Sequence, residues 1–96
     1  MSKAEKCIMP EDPNWKTKRF EGSHRHEVFY GPYRQKSIED GLVIFLRPEM
    51  HNMGDYGIHK NREFDLYAKR RGQRAWMKLN GKTADEFRQR YGKNYL

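Results

Sequence analysis

Leu42-Val-Ile-Phe-Leu46 is a continuous apolar run, launched by Gly41 and stopped by Pro48, and it predicts a buried strand. Upstream, His26-Glu-Val-Phe-Tyr30 is rich in β-forming residues and ends at Gly31-Pro32, which predicts a second short strand. The connection from Gly31 to Gly41 reads as an eleven-residue loop, long for a hairpin and of the kind that often carries function. Asn52 to Gly57 is rich in turn formers. Beyond it the period changes: Phe64, Tyr67 and Ala68, then Leu66, Gln73, Trp76 and Met77, recur at intervals of three and four. That spacing predicts a helix from about His59 to Leu79, ended at Asn80-Gly81. Thr83 followed by Glu86 makes a capping box, which opens a short helix carrying Phe87 and Tyr91 and closed by Gly92. The Phe64/Tyr67/Trp76 stripe is expected in the core. Residues 1–22, broken by Pro10 and Pro13 and mixed in charge, predict an extended arm. Trp15 and Phe20 are the anchors that would pin it to a domain spanning residues 23–96.

The order is therefore arm, strand, loop, strand, turn, long helix, short helix, an α+β chain. With 96 residues, 35% apolar and 34% charged, one domain with a thin core is expected, and a bound metal would support it. Cys7 is the sole cysteine, so no internal disulfide is available and a reducing compartment fits. No run approaches the ~18 apolar residues of a membrane span. The first fifteen residues lack an apolar signal core. A soluble, cytoplasmic protein with no membrane partner is the expectation.

Charge changes the picture more than composition does. Lys/Arg and Asp/Glu balance at nine each over residues 1–58, whereas residues 59–96 hold eleven against four, so the whole excess of +7 lies there. A segregated positive field attracts a polyanion, and nucleic acid is the usual one. A solvated basic face with no partner is the plainer alternative.

All four histidines lie between positions 24 and 59. His26 opens the first strand, His51 follows the second, and His59 starts the long helix. Three imidazoles at such a junction can ligate one divalent ion and leave positions open for water or phosphate. In a continuous helix His51 and His59 would stand about 12 Å apart, too far for bonds of about 2 Å to one ion. A turn must intervene, and Gly54 and Gly57 supply it. His24, between Ser23 and Arg25, reads equally as a bystander.

His26-Glu-Val-Phe-Tyr-Gly31, Arg34, Ser37, Gly41-Leu-Val-Ile-Phe-Leu46, His51-Asn52, Gly57-Ile-His59, Glu63-Phe-Asp-Leu66, Gln73 and Tyr91-Gly-Lys-Asn-Tyr-Leu96 together resemble small HNH-like proteins of phages and prophages. Those in turn are similar to the phage recombination-enhancement nucleases. The likeness covers roughly residues 24–96. It implies a ββα-metal (HNH, or His-Me finger) core with a long basic helix and a short C-terminal helix. It also implies one divalent ion (Mg, Mn or Zn) held by His26, His51 and His59. Glu27 falls where such enzymes carry a general-base histidine, and Asp40-Gly41-Leu42 stands where the middle asparagine is expected. Arg47 occupies a common cysteine position, so no second metal site is expected.

The function expected from this resemblance is hydrolysis of DNA phosphodiester bonds with low sequence specificity by a phage-encoded protein. His26 and Glu27, or a free histidine such as His24 in the base role, would be catalytic. Arg34 would steady transition-state charge or be a plain surface arginine. Lys69, Arg70, Arg71 and Arg74 would grip backbone phosphates. Two alternatives stay open. One is a non-hydrolytic module of the same fold that binds DNA or modulates a host recombination or nuclease protein. The other is a domain whose zinc is purely structural.

Overall fold

The computed structural model describes residues 5–53 and 57–96 of the chain. It is a mixed α+β fold in the order β1 (His24–Glu27), a 3₁₀ turn (Gly31–Tyr33), α1 (Arg34–Glu39), β2 (Val43–Leu46), a π-helical turn (Glu49–Met53), α2 (Arg62–Asn80) and α3 (Ala84–Tyr91). β1 and β2 pair antiparallel, with His26 opposite Ile44 and His24 opposite Leu46. β2 forms where the apolar run placed it. β1 begins two residues earlier than the sequence suggested and ends at Glu27. Val28 still extends the pairing by donating to Leu42 O at 3.0 Å, but Phe29 turns into the core.

The expected loop from Gly31 to Gly41 is instead mostly helix. α1 has six residues, and only Ser37 among them is buried, so no apolar period announced it. Tertiary contacts hold it. Ser37 Oγ donates to Leu42 O at 2.6 Å and accepts from Phe29 N at 3.2 Å, tying α1 to the residues just after β1 and just before β2. Just past the helix, Asp40 accepts two bonds from Arg90, at 2.6 and 3.0 Å, and one from the Tyr91 hydroxyl at 2.6 Å. α1 is thereby fastened to α3.

α2 starts three residues later than expected because Asn61 caps it, accepting from Phe64 N at 3.1 Å. It stops at Gly81, whose φ of 60° is the left-handed conformation that ends helices. The Thr83–Glu86 capping box is present and starts α3 as read. Its Phe87 and Tyr91 pack with Phe29 and Trp76 at ring distances of 4.6 to 5.4 Å. Gly72 lets α2 approach closely, since a β-carbon there would meet Met9 Sδ at 3.3 Å and Phe29 at 3.4 Å. Gln73 is fully buried and docks the C-terminal segment, donating to Asn94 Oδ1 and accepting from Tyr95 N, both at 2.8 Å.

The expected core stripe divides. Trp76 is buried and Phe64 half-buried, but Tyr67 is exposed and its hydroxyl donates to Asp12. Residues 5–22 form no helix. Trp15 is buried and donates through Nε1 to Pro10 O at 2.9 Å, while Lys16 and Phe45 exchange backbone bonds of 3.0 and 2.9 Å beside β2. Among the described residues no helix is long and apolar enough to cross a membrane.

Ser37→Ala should cost about 1–3 kcal/mol, because the Phe29 N–H is left buried without an acceptor. Thermal melting should register this as a fall of roughly 5–15 °C. A variant melting within 2 °C of the parent would show that the hydroxyl is dispensable.

Candidate metal centre

Side chains on a strand alternate between faces. His24 and His26 therefore share the face of β1 opposite to that of Arg25 and Glu27. His26 is pressed into the interior and almost wholly buried. The second imidazole comes from the π-helical turn after β2, a geometry found often at functional sites. Two backbone bonds then fold the chain back: Ile58 N donates to Met50 O at 2.7 Å, and His59 N to His51 O at 3.3 Å. They set His59 beside His51, so the two do not stand eight residues apart on one continuous helix, as the spacing demanded. Gly54, one of the two glycines assigned to the intervening turn, lies outside the described residues.

The result is a cluster of His26, His51 and His59 whose ligand atoms all lie within 4.8 Å of one another. Ring centroids are 4.8 to 5.2 Å apart, and Nε2 of His51 and Nε2 of His59 are separated by 3.2 Å. Burial falls from His26 through His51 to exposed His59, so the cluster opens to solvent on one side.

Burial pushes the His26 imidazole down to about 3, with the His59, His51 and Lys69 charges adding to the effect. His51 is lowered as well, first by burial, then by His59 and His24, against a smaller opposing pull from Glu27. Both rings are therefore neutral at pH 7, the state with a lone pair to donate. His26 Nε2 is buried and has no hydrogen-bond partner. An orphaned buried nitrogen is costly, and a metal ion is one of the few groups that would satisfy it. The residues fit such an ion. Of the three metals considered, an all-imidazole set suits zinc better than magnesium or manganese, which favour oxygen donors.

His24 stands against the cluster: its Nδ1 lies 3.3 Å from Nδ1 of His51, within hydrogen-bond reach of the ring whose other nitrogen faces His59. The two-residue period of β1, which puts positions 24 and 26 on one face, was the available signal.

Glu27 and Arg34 sit together, and among the described residues neither hydrogen-bonds to an imidazole. One Glu27 oxygen accepts from Arg34 Nε at 2.9 Å and the other from Arg25 Nε at 3.2 Å. Arg25 continues through Glu5 to Arg19, each link 2.9 Å. Arg34 is more than half exposed at the start of α1.

The four expected phosphate-gripping residues do not share one face. Lys69 points toward the centre, bonded to Asp65 at 2.9 Å and stacked 4.4 Å over the Tyr30 ring, which itself lies 5.0 Å from His59. Arg70, Arg71 and Arg74 lie on the outward side of α2, as their positions on a 3.6-residue period require. Arg70 donates to Tyr95 O at 3.1 Å.

Compared with family models, curated proteins and solved structures, the chain matches none.

Zinc or cobalt(II) should raise the melting temperature of the chelator-treated protein, by the equivalent of about 2.7 kcal/mol at a hundredfold excess over Kd. His26→Ala and His51→Ala should each abolish most of that rise, and His24→Ala should weaken it. A melting curve indifferent to both ions would exclude a metal centre here.

Proposed function

We propose that this protein is a metal-dependent DNA endonuclease built on an HNH (ββα-metal) core, hydrolysing phosphodiester bonds with little sequence preference. The observation that carries this reading is the meeting of three imidazoles, from a strand, a turn and the approach to a helix, around the unpartnered His26 Nε2. His26, His51 and His59 would hold the ion. When bound, a divalent ion there supplies Lewis-acid polarisation of a phosphate oxygen.

The remaining roles fall to the chain itself. His59, the exposed member, borders the open side through which a phosphate would arrive. Lys69, steadied by Asp65 and Tyr30, places a positive charge next to the imidazoles without joining them. Proton acceptance from water falls to Glu27 or His24. For Glu27 to act, one of its two guanidinium bonds must give way, and the released Arg34 would then be free to meet phosphate charge. For His24 to act, its Nδ1 must let go of His51, because a His51 that ligates through Nε2 donates its Nδ1 proton to His24 Nδ1 and leaves His24 Nε2 already protonated.

A second reading is a module of this fold that binds DNA, or a host recombination or nuclease protein, without turnover. The doubly bonded Glu27 carboxylate favours it, since an anchored carboxylate can serve the fold alone.

Plasmid nicking with zinc, manganese or magnesium distinguishes the two. The hydrolytic reading expects nicked circles with at least one ion, and a loss of at least 100-fold in His26→Ala and His51→Ala. Cleavage undiminished in both variants, or DNA binding with no nicking under any ion, rejects it.

A further inference from the structure

A second basic site lies on the far flank of α2. Ile8 and Pro10 of the N-terminal arm run alongside the helix and, with Arg71, Arg74, Ala75 and Lys78, enclose a groove of about 300 Å³. The three cations recur at i, i+3 and i+7. They fall within about 60° of one another around the helix and span about 10 Å along it. Lys69, which faces the imidazoles, is turned about 140–180° away from them.

These charges are poorly matched from within the chain. Among the described residues Arg74 and Lys78 are exposed and make no ion pair, and the buried Arg71 Nε makes no hydrogen bond. The carboxylate nearest to Arg71 is Asp12, at 3.8 Å. That group already accepts from the Tyr67 hydroxyl and from Asn14 N and Nδ2.

We infer that this groove binds the sugar–phosphate backbone of a nucleic-acid segment distinct from the one at the imidazoles. The inference rests on the nucleic-acid reading above and adds a second contact to it. About 10 Å of helix matches the rise of about three nucleotides of one strand, each bearing one negative charge. Three cations on one line suit that repeat. The apolar lining is limited to Ile8, Pro10 and Ala75, enough to meet sugar edges but without an aromatic or deep pocket to anchor a peptide side chain. A helix is about 10–12 Å across, so a strand lying in the groove must leave it and wrap round α2 to reach His59. The two contacts therefore belong to separate segments.

The test is binding of a fluorescent 20-base-pair duplex in EDTA, followed by anisotropy at several salt concentrations. Metal-free binding keeps this question separate from cleavage. Arg74→Glu/Lys78→Glu alters only exposed side chains, and circular dichroism will confirm that it folds. It should weaken binding at least tenfold and flatten the log–log salt dependence by about 2, since each lost phosphate contact removes about 0.9. Lys18→Gln, which removes an exposed cation outside the groove, should change affinity less than threefold in the same assay. A groove variant that binds within twofold of the parent overturns the inference, as does a parent protein that fails to bind the duplex in EDTA. Displacement by poly-glutamate as effective as by unlabelled duplex, at equal charge, would reassign the groove to an acidic polypeptide.

Discussion

The site depends on the register of β1 against β2. With His26 opposite Ile44, the inward face of β1 carries His24 and His26, and the outward face carries Arg25 and Glu27. A slip of one residue would exchange the two sets, burying an ion pair and turning the imidazoles to solvent. A strand pair of four residues each is too short to enforce this alone. Its neighbours do so. Ser37 holds Phe29 N and Leu42 O from one side, and the Lys16–Phe45 exchange holds β2 from the other. The six-residue α1 and the N-terminal arm are thus parts of the site, although neither contributes an imidazole.

Burying His26 has an energetic consequence that organises what surrounds it. The ring occupies a core position while leaving Nε2 unpartnered, and its neutral state is enforced by that same burial. That nitrogen costs stability for as long as nothing meets it. His51 is held between His24 and His59, one ring nitrogen toward each. The cluster is graded from a rigid interior member to an exposed one. Such grading lets two rings stay fixed while the third borders solvent, the arrangement expected of an open coordination site.

The positive charge follows a different geometry. α2 buries Ala68, Gly72, Gln73 and Trp76, which leaves its opposite side to Arg70, Arg71, Arg74 and Lys78. Lys69 lies on the covered side, in line with Gln73 and Trp76, and is held toward the imidazoles by Asp65 and Tyr30. Of the eleven cations that look like one field in the sequence, Lys69 is steadied near the imidazoles, Arg70, Arg71, Arg74 and Lys78 face away from them, and the other six lie elsewhere.

What the sequence determined by itself is whatever local physics decides. The run of residues 42–46 marks a strand. Thr83 and Glu86 mark a helix start because a capping box closes within four residues. The three-and-four spacing of residues 64–77 marks α2, and the distance argument for His51 and His59 demanded a turn between them. What it could not decide involves partners distant in the chain. α1 is a helix because Ser37 and Asp40 find Phe29, Leu42, Arg90 and Tyr91, since six residues with one buried side chain have no helical stability of their own. Tyr67 left the core because Asp12, fifty-five positions away, takes its hydroxyl. The company that Glu27 keeps with two arginines, the pairing of His24 with His51, and the division of the basic residues between two sides of α2 were likewise settled by packing. Each depends on which faces meet when the arm, the sheet and the helices close on one another, and a one-dimensional pattern carries the faces without their neighbours.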